Sequence, residues 1–161
     1  MDTGCLANLK GGAGKTTNTI HLGARLAALK KRVLLIDFDK QMDLTAGTGA
    51  YENDYNVVDF LEGNGPLSPV QRSKNLFILP GNPNFIASKY TPDVLRNALK
   101  PYSKHFDFVL IDTPPADINE KDLTNAEIAL MASTFFMIPI QPTTYSIKNS
   151  NSFLGSVHAK V

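Results

Sequence analysis

Residues 10–17, Lys-Gly-Gly-Ala-Gly-Lys-Thr-Thr, decide the fold of this chain. The apolar residues 5–7 precede this stretch and a helical pattern over 16–30 follows it, so the glycines join a predicted strand to a predicted helix. Glycine adopts positive φ readily and lets the backbone approach a ligand closely. The exposed amides and the start of the helix then attract an anion. The stretch therefore predicts a phosphate-binding loop.

The side chains of the same stretch favour a triphosphate with a metal ion. Two lysines at one phosphate site repel each other unless several negative charges lie beside them. Lys15 is suited to the β- and γ-phosphates, and the Thr16 hydroxyl is suited to Mg²⁺. The predicted nucleotide-binding residues are Lys10, Gly11, Gly12, Ala13, Gly14, Lys15, Thr16 and Thr17.

Two carboxylates follow the apolar run 33–36. Asp37 and Asp39 lie at the carboxyl end of this predicted strand, which is the ligand side of an open α/β sheet. Alternation along an extended chain places both on the same side, where they can approach a γ-phosphate and its Mg²⁺. Capping of a helix that starts near Met42 is the alternative role for either residue.

A third carboxylate ends the apolar run 108–111. Asp112 is followed by Thr-Pro-Pro, and the two prolines turn the chain away from the sheet. A buried strand that delivers this carboxylate next to Thr16 lets it hold a Mg²⁺-bound water. A purely structural role for Asp112 is the alternative.

Strand and helix patterns alternate along the chain, which predicts one α/β domain with a mainly parallel sheet flanked by helices. The apolar runs are near-continuous, as in strands covered on both faces. A helix is predicted to begin with Thr91 as N-cap and Pro92 as its first residue. The predicted strands are 5–7, 33–36, 76–79, 108–111 and 135–140, and the further helices are 56–61, 122–131 and 146–159.

The composition excludes several classes of protein. Of 161 residues, 43% are hydrophobic and 19% are charged, which excludes a disordered chain. Sixteen basic residues against fifteen acidic ones do not indicate nucleic-acid binding by bulk charge. The single cysteine, Cys5, excludes an internal disulfide and a four-cysteine metal site. No signal peptide is recognisable, and no apolar run reaches the about 20 residues of a membrane helix. We therefore expect a cytoplasmic protein, with association with the nucleoid as one option.

Three segments together resemble the ParA/MinD family of ATPases. Residues 10–17 resemble its deviant Walker A loop, since the first glycine of the usual pattern would fall at Leu9. Residues 37–41 resemble the family's D-x-D-P-Q segment, and 106–115 resemble its Walker B strand and D-x-P-P turn. The resemblance extends from Cys5 to about 152. It implies a P-loop NTPase fold, a three-layer α/β/α arrangement, with ATP and Mg²⁺ as ligands.

The resemblance also implies roles for individual residues. Lys10 would reach across a dimer interface to the partner's nucleotide, the alternatives being its own nucleotide or solvent. Asp39 would orient or deprotonate the attacking water, so the catalytic set is Lys10, Lys15 and Asp39. The metal set is Thr16 and Asp112, with Asp37 in the outer shell of Mg²⁺.

The implied function is an ATP-dependent homodimer that drives plasmid or chromosome partition. Its partners would be a ParB-like activator and non-specific DNA, and no binding to a membrane is expected. A MinD-like division-positioning ATPase and a catalytically weak nucleotide-binding regulatory module are the alternatives. Lys40 replaces the family's proline and Gln41-Met42-Asp43 replaces Q-G-N, which puts the rate of hydrolysis in question.

The resemblance finally implies a domain organisation. Residues 1–161 would form a single P-loop ATPase domain that is truncated at the C-terminus relative to the family. The later segments of family members carry adenine contacts and most of the basic residues that hold DNA.

Overall fold

The computed structural model of the protein describes residues 1–9, 11–116, 123–140, 151 and 154–155. The strands are β1 (Asp2–Leu6), β2 (Val33–Asp37), β3 (Val70–Ser73), β4 (Leu76–Leu79), β5 (Phe108–Asp112) and β6 (Phe135–Met137). The helices are α1 (Lys15–Ala28), α2 (Asp43–Thr48), α3 (Val57–Glu62), α4 (Val94–Leu99) and α5 (Asn125–Ala132). Short 3₁₀ turns occupy Ala50–Glu52, Ala87–Lys89 and Lys100–Tyr102.

The six strands form one sheet in the order β3-β4-β2-β5-β1-β6. Every pairing is parallel except that of β3 with β4. The inner strands are apolar on both faces, because Leu34 and Ile36 pack under α3, α4 and α5 while Val33 and Leu35 pack under α1 and α2. The predicted class, a mainly parallel sheet between two helical layers, is confirmed.

Three predicted boundaries were wrong for local reasons. The helix predicted from Thr91 begins at Val94 with Asp93 as N-cap, because the preceding residues form a turn closed by the Val94 N–H on the Thr91 carbonyl at 3.1 Å. The helix predicted over 122–131 begins at Asn125, where a capping box starts it. The last strand ends at Met137, two residues before a proline, which has no N–H for a ladder.

Other differences concern the edges of elements. Helix α1 ends at Ala28, and Lys30 has a φ of 63° just beyond it. Strand β3 was missed because three of its four residues are polar, as suits an antiparallel edge. The helix predicted over 146–159 lies largely outside the described residues.

The carboxyl ends of three central strands meet at one edge of the sheet. Asp112 is in register with Asp37 of β2 and with Leu6 of β1. The glycine-rich loop leaves this same edge and enters α1. In the part of the chain that the structure describes, no helix is long and apolar enough to cross a membrane.

Candidate phosphate-binding site

The loop between β1 and α1 has the backbone conformation that its glycines predict. Gly12 and Gly14 have φ of 71° and 83°, a region that side chains disfavour. Gly14 is the N-cap of α1, so no capping side chain covers the first turn of the helix. A helix N-terminus without a capping side chain is a favourable place for an anion.

Buried Asn8 anchors the start of this loop. Its side chain donates to the carbonyl of Pro139 at 2.7 Å, and its carbonyl accepts the N–H of Ala116 at 3.0 Å. These two contacts tie the loop to the chain after β6 and after β5. Residue 10 is not among the described residues, so the predicted role of Lys10 falls outside the structure.

A cleft of about 250 Å³ opens beside the loop. Its lining includes Gly11, Gly12, Gly14, Lys15, Thr16 and Thr17 on the loop side, and Asp39, Gln41 and Asp43 opposite. The structure thus brings six of the eight predicted loop residues and one of the three predicted carboxylates to a single open surface, whereas Ala13 is buried and does not line the cleft.

Lys15 places a positive charge at the base of the cleft. The residue is only 6% exposed, and burial lowers the pKa of its ammonium group. The negative charges of Asp112 and Asp39 oppose that shift. A cation held in this way favours a further anion in the cleft.

Asp112 is buried without a full set of hydrogen bonds. Its Oδ1 lies 3.5 Å from the hydroxyl of Thr19, which already donates to the Lys15 carbonyl at 3.0 Å. Its Oδ2 has no hydrogen-bond partner among the described residues. Burial raises the pKa of this carboxyl to about 7, with Asp37 and Asp39 adding to the rise and the nearby Thr16 hydroxyl and Lys15 opposing it.

The Asp112 oxygen without a partner among the described residues allows a test of whether this site fits a metal ion. Mg²⁺ takes oxygen ligands and commonly needs only one or two carboxylates when phosphates supply the rest. A buried carboxylate oxygen without a partner, near a threonine hydroxyl at a phosphate loop, fits that need. The described residues hold no cluster of three or more His, Cys, Asp or Glu side chains that could bind a metal without such help.

Asp37 differs from Asp112, because the protein itself satisfies its carboxylate. Its Oδ2 accepts the N–H and the hydroxyl of Thr45 at 2.8 and 2.6 Å, and its Oδ1 accepts the N–H of Asp39 at 3.1 Å. Burial raises the pKa of Asp37 and these hydrogen bonds oppose the rise. Because Thr45 is the third residue of α2, Asp37 acts as a cap for that helix. Its predicted outer-shell role at Mg²⁺ stays a prediction.

Asp39 is held in a turn at the rim of the cleft. Its Oδ1 accepts the N–H of Gln41 at 3.0 Å, and its carbonyl accepts the N–H of Met42 at 3.0 Å. Met42, with φ 57°, is the N-cap of α2, so Asp39 is not a helix cap. The neighbouring Lys40 is exposed.

The sequence did not indicate three residues that fix the backbone between Phe38 and Asp39, either directly or through Asp37. Asn125, at the start of α5, donates from its side chain to the Phe38 carbonyl at 2.7 Å. Thr45 holds Asp37, and the N–H of Gly81 donates to the Thr45 hydroxyl at 3.0 Å. The capping box of α5 was a usable sequence signal for that helix start, but no local pattern reveals a contact across 87 residues.

Comparison with known proteins places the chain in a family. A family profile described as an AAA domain matches residues 1–159. A ParA family protein of Chlamydia muridarum is 36% identical over 164 residues, covering 92% of this chain and 62% of that protein. The chromosome-partitioning ATPase Soj of Thermus thermophilus is 34% identical over 156 residues, covering 94% and 59%. The chain belongs to the ParA/Soj family.

This ParA/Soj-family chain spans about 60% of the length of those relatives. Solved structures agree on the fold. Cobyrinic acid a,c-diamide synthase from Mycobacterium smegmatis, crystallised with ADP and magnesium, superposes with a TM-score of 0.85 at 26% identity, covering 99% of this chain and 67% of that one. A plasmid partition protein from Borrelia burgdorferi gives 0.83 at 23% identity, covering 98% and 74%. The latter likeness concerns the fold alone.

Proposed function

We propose that this ParA/Soj-family chain binds ATP with Mg²⁺ and hydrolyses ATP to ADP and phosphate. One observation carries the proposal: the buried Oδ2 of Asp112, which has no partner among the described residues, lies at the same edge of the sheet as a glycine loop with two left-handed glycines and a buried lysine. A magnesium-bound triphosphate would supply a metal for this carboxylate oxygen and an anion for the loop and the lysine. Crystals of a structural neighbour with ADP and magnesium support the choice of ligand.

Each residue has a defined part in this proposal. The amides of 11–14 and the Lys15 ammonium bind the phosphates, and Thr16 and Asp112 hold the metal. Bound Mg²⁺ would offset charge on the β- and γ-phosphates. Asp39, at the rim of the cleft, orients the attacking water or accepts its proton.

Dimerisation and partners are further parts of the proposal. ATP would close two copies face to face, with Lys10 of each reaching the other's nucleotide, and hydrolysis would release them. A ParB-like activator and non-specific DNA are the proposed partners in plasmid or chromosome partition, in the cytoplasm. The name of the Soj relative supports this role. We propose a single P-loop ATPase domain over 1–161.

Binding and dimerisation can be tested separately. Isothermal calorimetry of the full chain with Mg²⁺ and a non-hydrolysable ATP analogue should show uptake that Lys15→Ala abolishes. Gel filtration of Asp39→Ala with ATP should show a dimer that Lys15→Ala does not form. Absence of nucleotide uptake by folded wild-type protein would refute binding, and a monomeric Asp39→Ala variant with bound ATP would refute the dimer.

A second candidate is a nucleotide-binding module with little turnover. It is favoured by the loop after Asp39, where Met42 occupies a left-handed conformation with φ 57° and an exposed Lys40 takes the place of the family's proline. Phosphate release at the background rate, with ATP uptake intact, would select this candidate over the ATPase.

A further inference from the structure

The peptide between Phe38 and Asp39 has both of its polar groups held by side chains. The Phe38 carbonyl accepts from Asn125 at 2.7 Å, and the Asp39 N–H donates to Asp37 Oδ1 at 3.1 Å. A carboxylate that is to meet a water molecule needs a fixed backbone, since misplacement by about 1 Å can lower a rate by about 10². The residues that hold this peptide therefore set where Asp39 lies.

Asp37 can hold the Asp39 N–H only if its own carboxylate is fixed. Its other oxygen, Oδ2, accepts hydrogen bonds from the Thr45 N–H at 2.8 Å and from the Thr45 hydroxyl at 2.6 Å. Asp37 and Thr45 are both fully buried. Their burial shields these bonds from bulk solvent, so the orientation of the carboxylate depends on Thr45.

The Thr45 hydroxyl is itself oriented from the opposite side. It accepts the N–H of Gly81 at 3.0 Å, so its proton is directed at Asp37. A Cβ on Gly81 would lie 3.0 Å from Asp37 Cγ and 3.2 Å from Met42 Cγ. The segment after β4 therefore packs directly against the carboxylate and supplies the donor that aims the hydroxyl.

We infer that Thr45 is a positioning residue for the proposed ATPase: through Asp37 it fixes the backbone that carries Asp39 at the nucleotide site. The inference rests on the proposed function for its kinetic consequence, whereas its structural consequence does not need hydrolysis. A hydroxyl is required at this position because it donates to Asp37 and accepts from Gly81 at once.

The kinetic test compares two substitutions of Thr45 with a control substitution in the same helix. Thr45→Val removes the hydroxyl at constant shape, and Thr45→Ser restores it. Thr48→Val is the matched control, since the Thr48 hydroxyl donates only within the helix, to the Leu44 carbonyl at 2.7 Å and the Thr45 carbonyl at 3.4 Å. With full-length protein, ATP and Mg²⁺, we expect Thr45→Val to lower kcat at least tenfold while the dissociation constant of the ATP analogue changes less than threefold. Thr45→Ser should stay within threefold of wild type, and Thr48→Val should keep its kcat.

The structural test uses amide hydrogen exchange measured by NMR. We expect the Asp39 amide to exchange at least tenfold faster in Thr45→Val than in wild type or Thr48→Val. Gly81→Ala crowds Asp37 from the other side and should accelerate the exchange of the same amide. This variant replaces Thr45→Val in the test if Thr45→Val does not fold. Equal Asp39 exchange in all folded variants would overturn the inference, as would an unchanged kcat in Thr45→Val. A wild-type protein without turnover would instead count against the proposed function, and the exchange data would still decide on Thr45.

Discussion

Three aspartates at one edge of the sheet have different surroundings. Asp37 accepts three hydrogen bonds from the protein, whereas Asp112 Oδ2 has no partner among the described residues. Asp39 alone of the three lines the cleft. These surroundings support the proposed roles, which are positioning for Asp37, metal binding for Asp112 and contact with the reacting water for Asp39.

Asp112 is expected to make the ligand-free protein less stable as the pH rises. Its folded pKa of about 7 exceeds the ordinary value of 3.8, so the folded state keeps a proton that the unfolded state releases. The folded state is then favoured most below pH 4, and this advantage is lost as the pH rises through 7, by up to about 1.4 kcal/mol per pH unit. The raised pKa of Asp37 acts in the same direction.

Urea unfolding between pH 4 and 8 measures this dependence. Asp112→Asn should flatten the decline and be more stable than wild type at pH 8 but not at pH 4. The control Asp54→Asn, at an exposed carboxylate, should keep the wild-type slope. Parallel curves for Asp112→Asn and wild type would contradict the expectation.

At the scale of elements, glycines set how closely the elements pack. A Cβ on Gly23 of α1 would lie 2.6 Å from Leu35 Cδ2 of β2, so this helix lies close against the sheet. A Cβ on Gly4 of β1 would lie 2.3 Å from the ring of Phe135, its partner in β6. Both contacts depend on a residue without a side chain.

The pairing of Gly4 with Phe135 predicts an energetic coupling between β1 and β6. Gly4→Ala should destabilise the protein by about 1–3 kcal/mol, because the Phe135 ring must leave its place. In a Phe135→Ala background the same change should cost less than about 0.5 kcal/mol. A double-mutant cycle from urea unfolding measures the coupling.

Phe136 provides the control for this cycle. Side chains alternate along a strand, so Phe136 lies on the opposite face from Phe135. Gly4→Ala should keep its full cost in a Phe136→Ala background. Equal costs in the two backgrounds would show that the ring of Phe135 is not what the substitution displaces.

The sequence predicted the elements and the motif positions well because those signals are local. The glycines of the loop and the aspartates at strand ends carry their chemistry with their neighbours in the chain. Thr45 and Asn125 could not be predicted, since their contacts exist only after α2 and α5 have packed beside Asp37 and Phe38. Strand β3 was missed because an edge strand needs only one apolar face.

At the scale of the whole molecule, ligand binding should be visible as added stability. The loop follows β1, Lys15 begins α1 and Asp112 ends β5. A ligand that contacts all three therefore resists unfolding of the whole sheet. For a ligand that binds only the folded state, about 100 times its dissociation constant adds about 2.7 kcal/mol.

Urea unfolding with and without a non-hydrolysable ATP analogue and Mg²⁺ measures this effect. Wild type should gain about 2.7 kcal/mol at that ligand concentration, and Lys15→Ala should gain nothing. Lys74→Ala, at an exposed lysine between β3 and β4, should gain as much as wild type. A similar gain in Lys15→Ala would show that the ligand binds elsewhere.

The strand order has a consequence for synthesis on the ribosome. Strand β1 has only β5 and β6 as neighbours, and both are made more than a hundred residues later. The glycine-rich loop that follows β1 therefore has no neighbouring strand beside it until the chain has been translated through Asp112, and β1 has both neighbours only after Met137. A nascent polypeptide arrested before β5 would lack both strand neighbours of β1 and also Asp112 of the proposed nucleotide site.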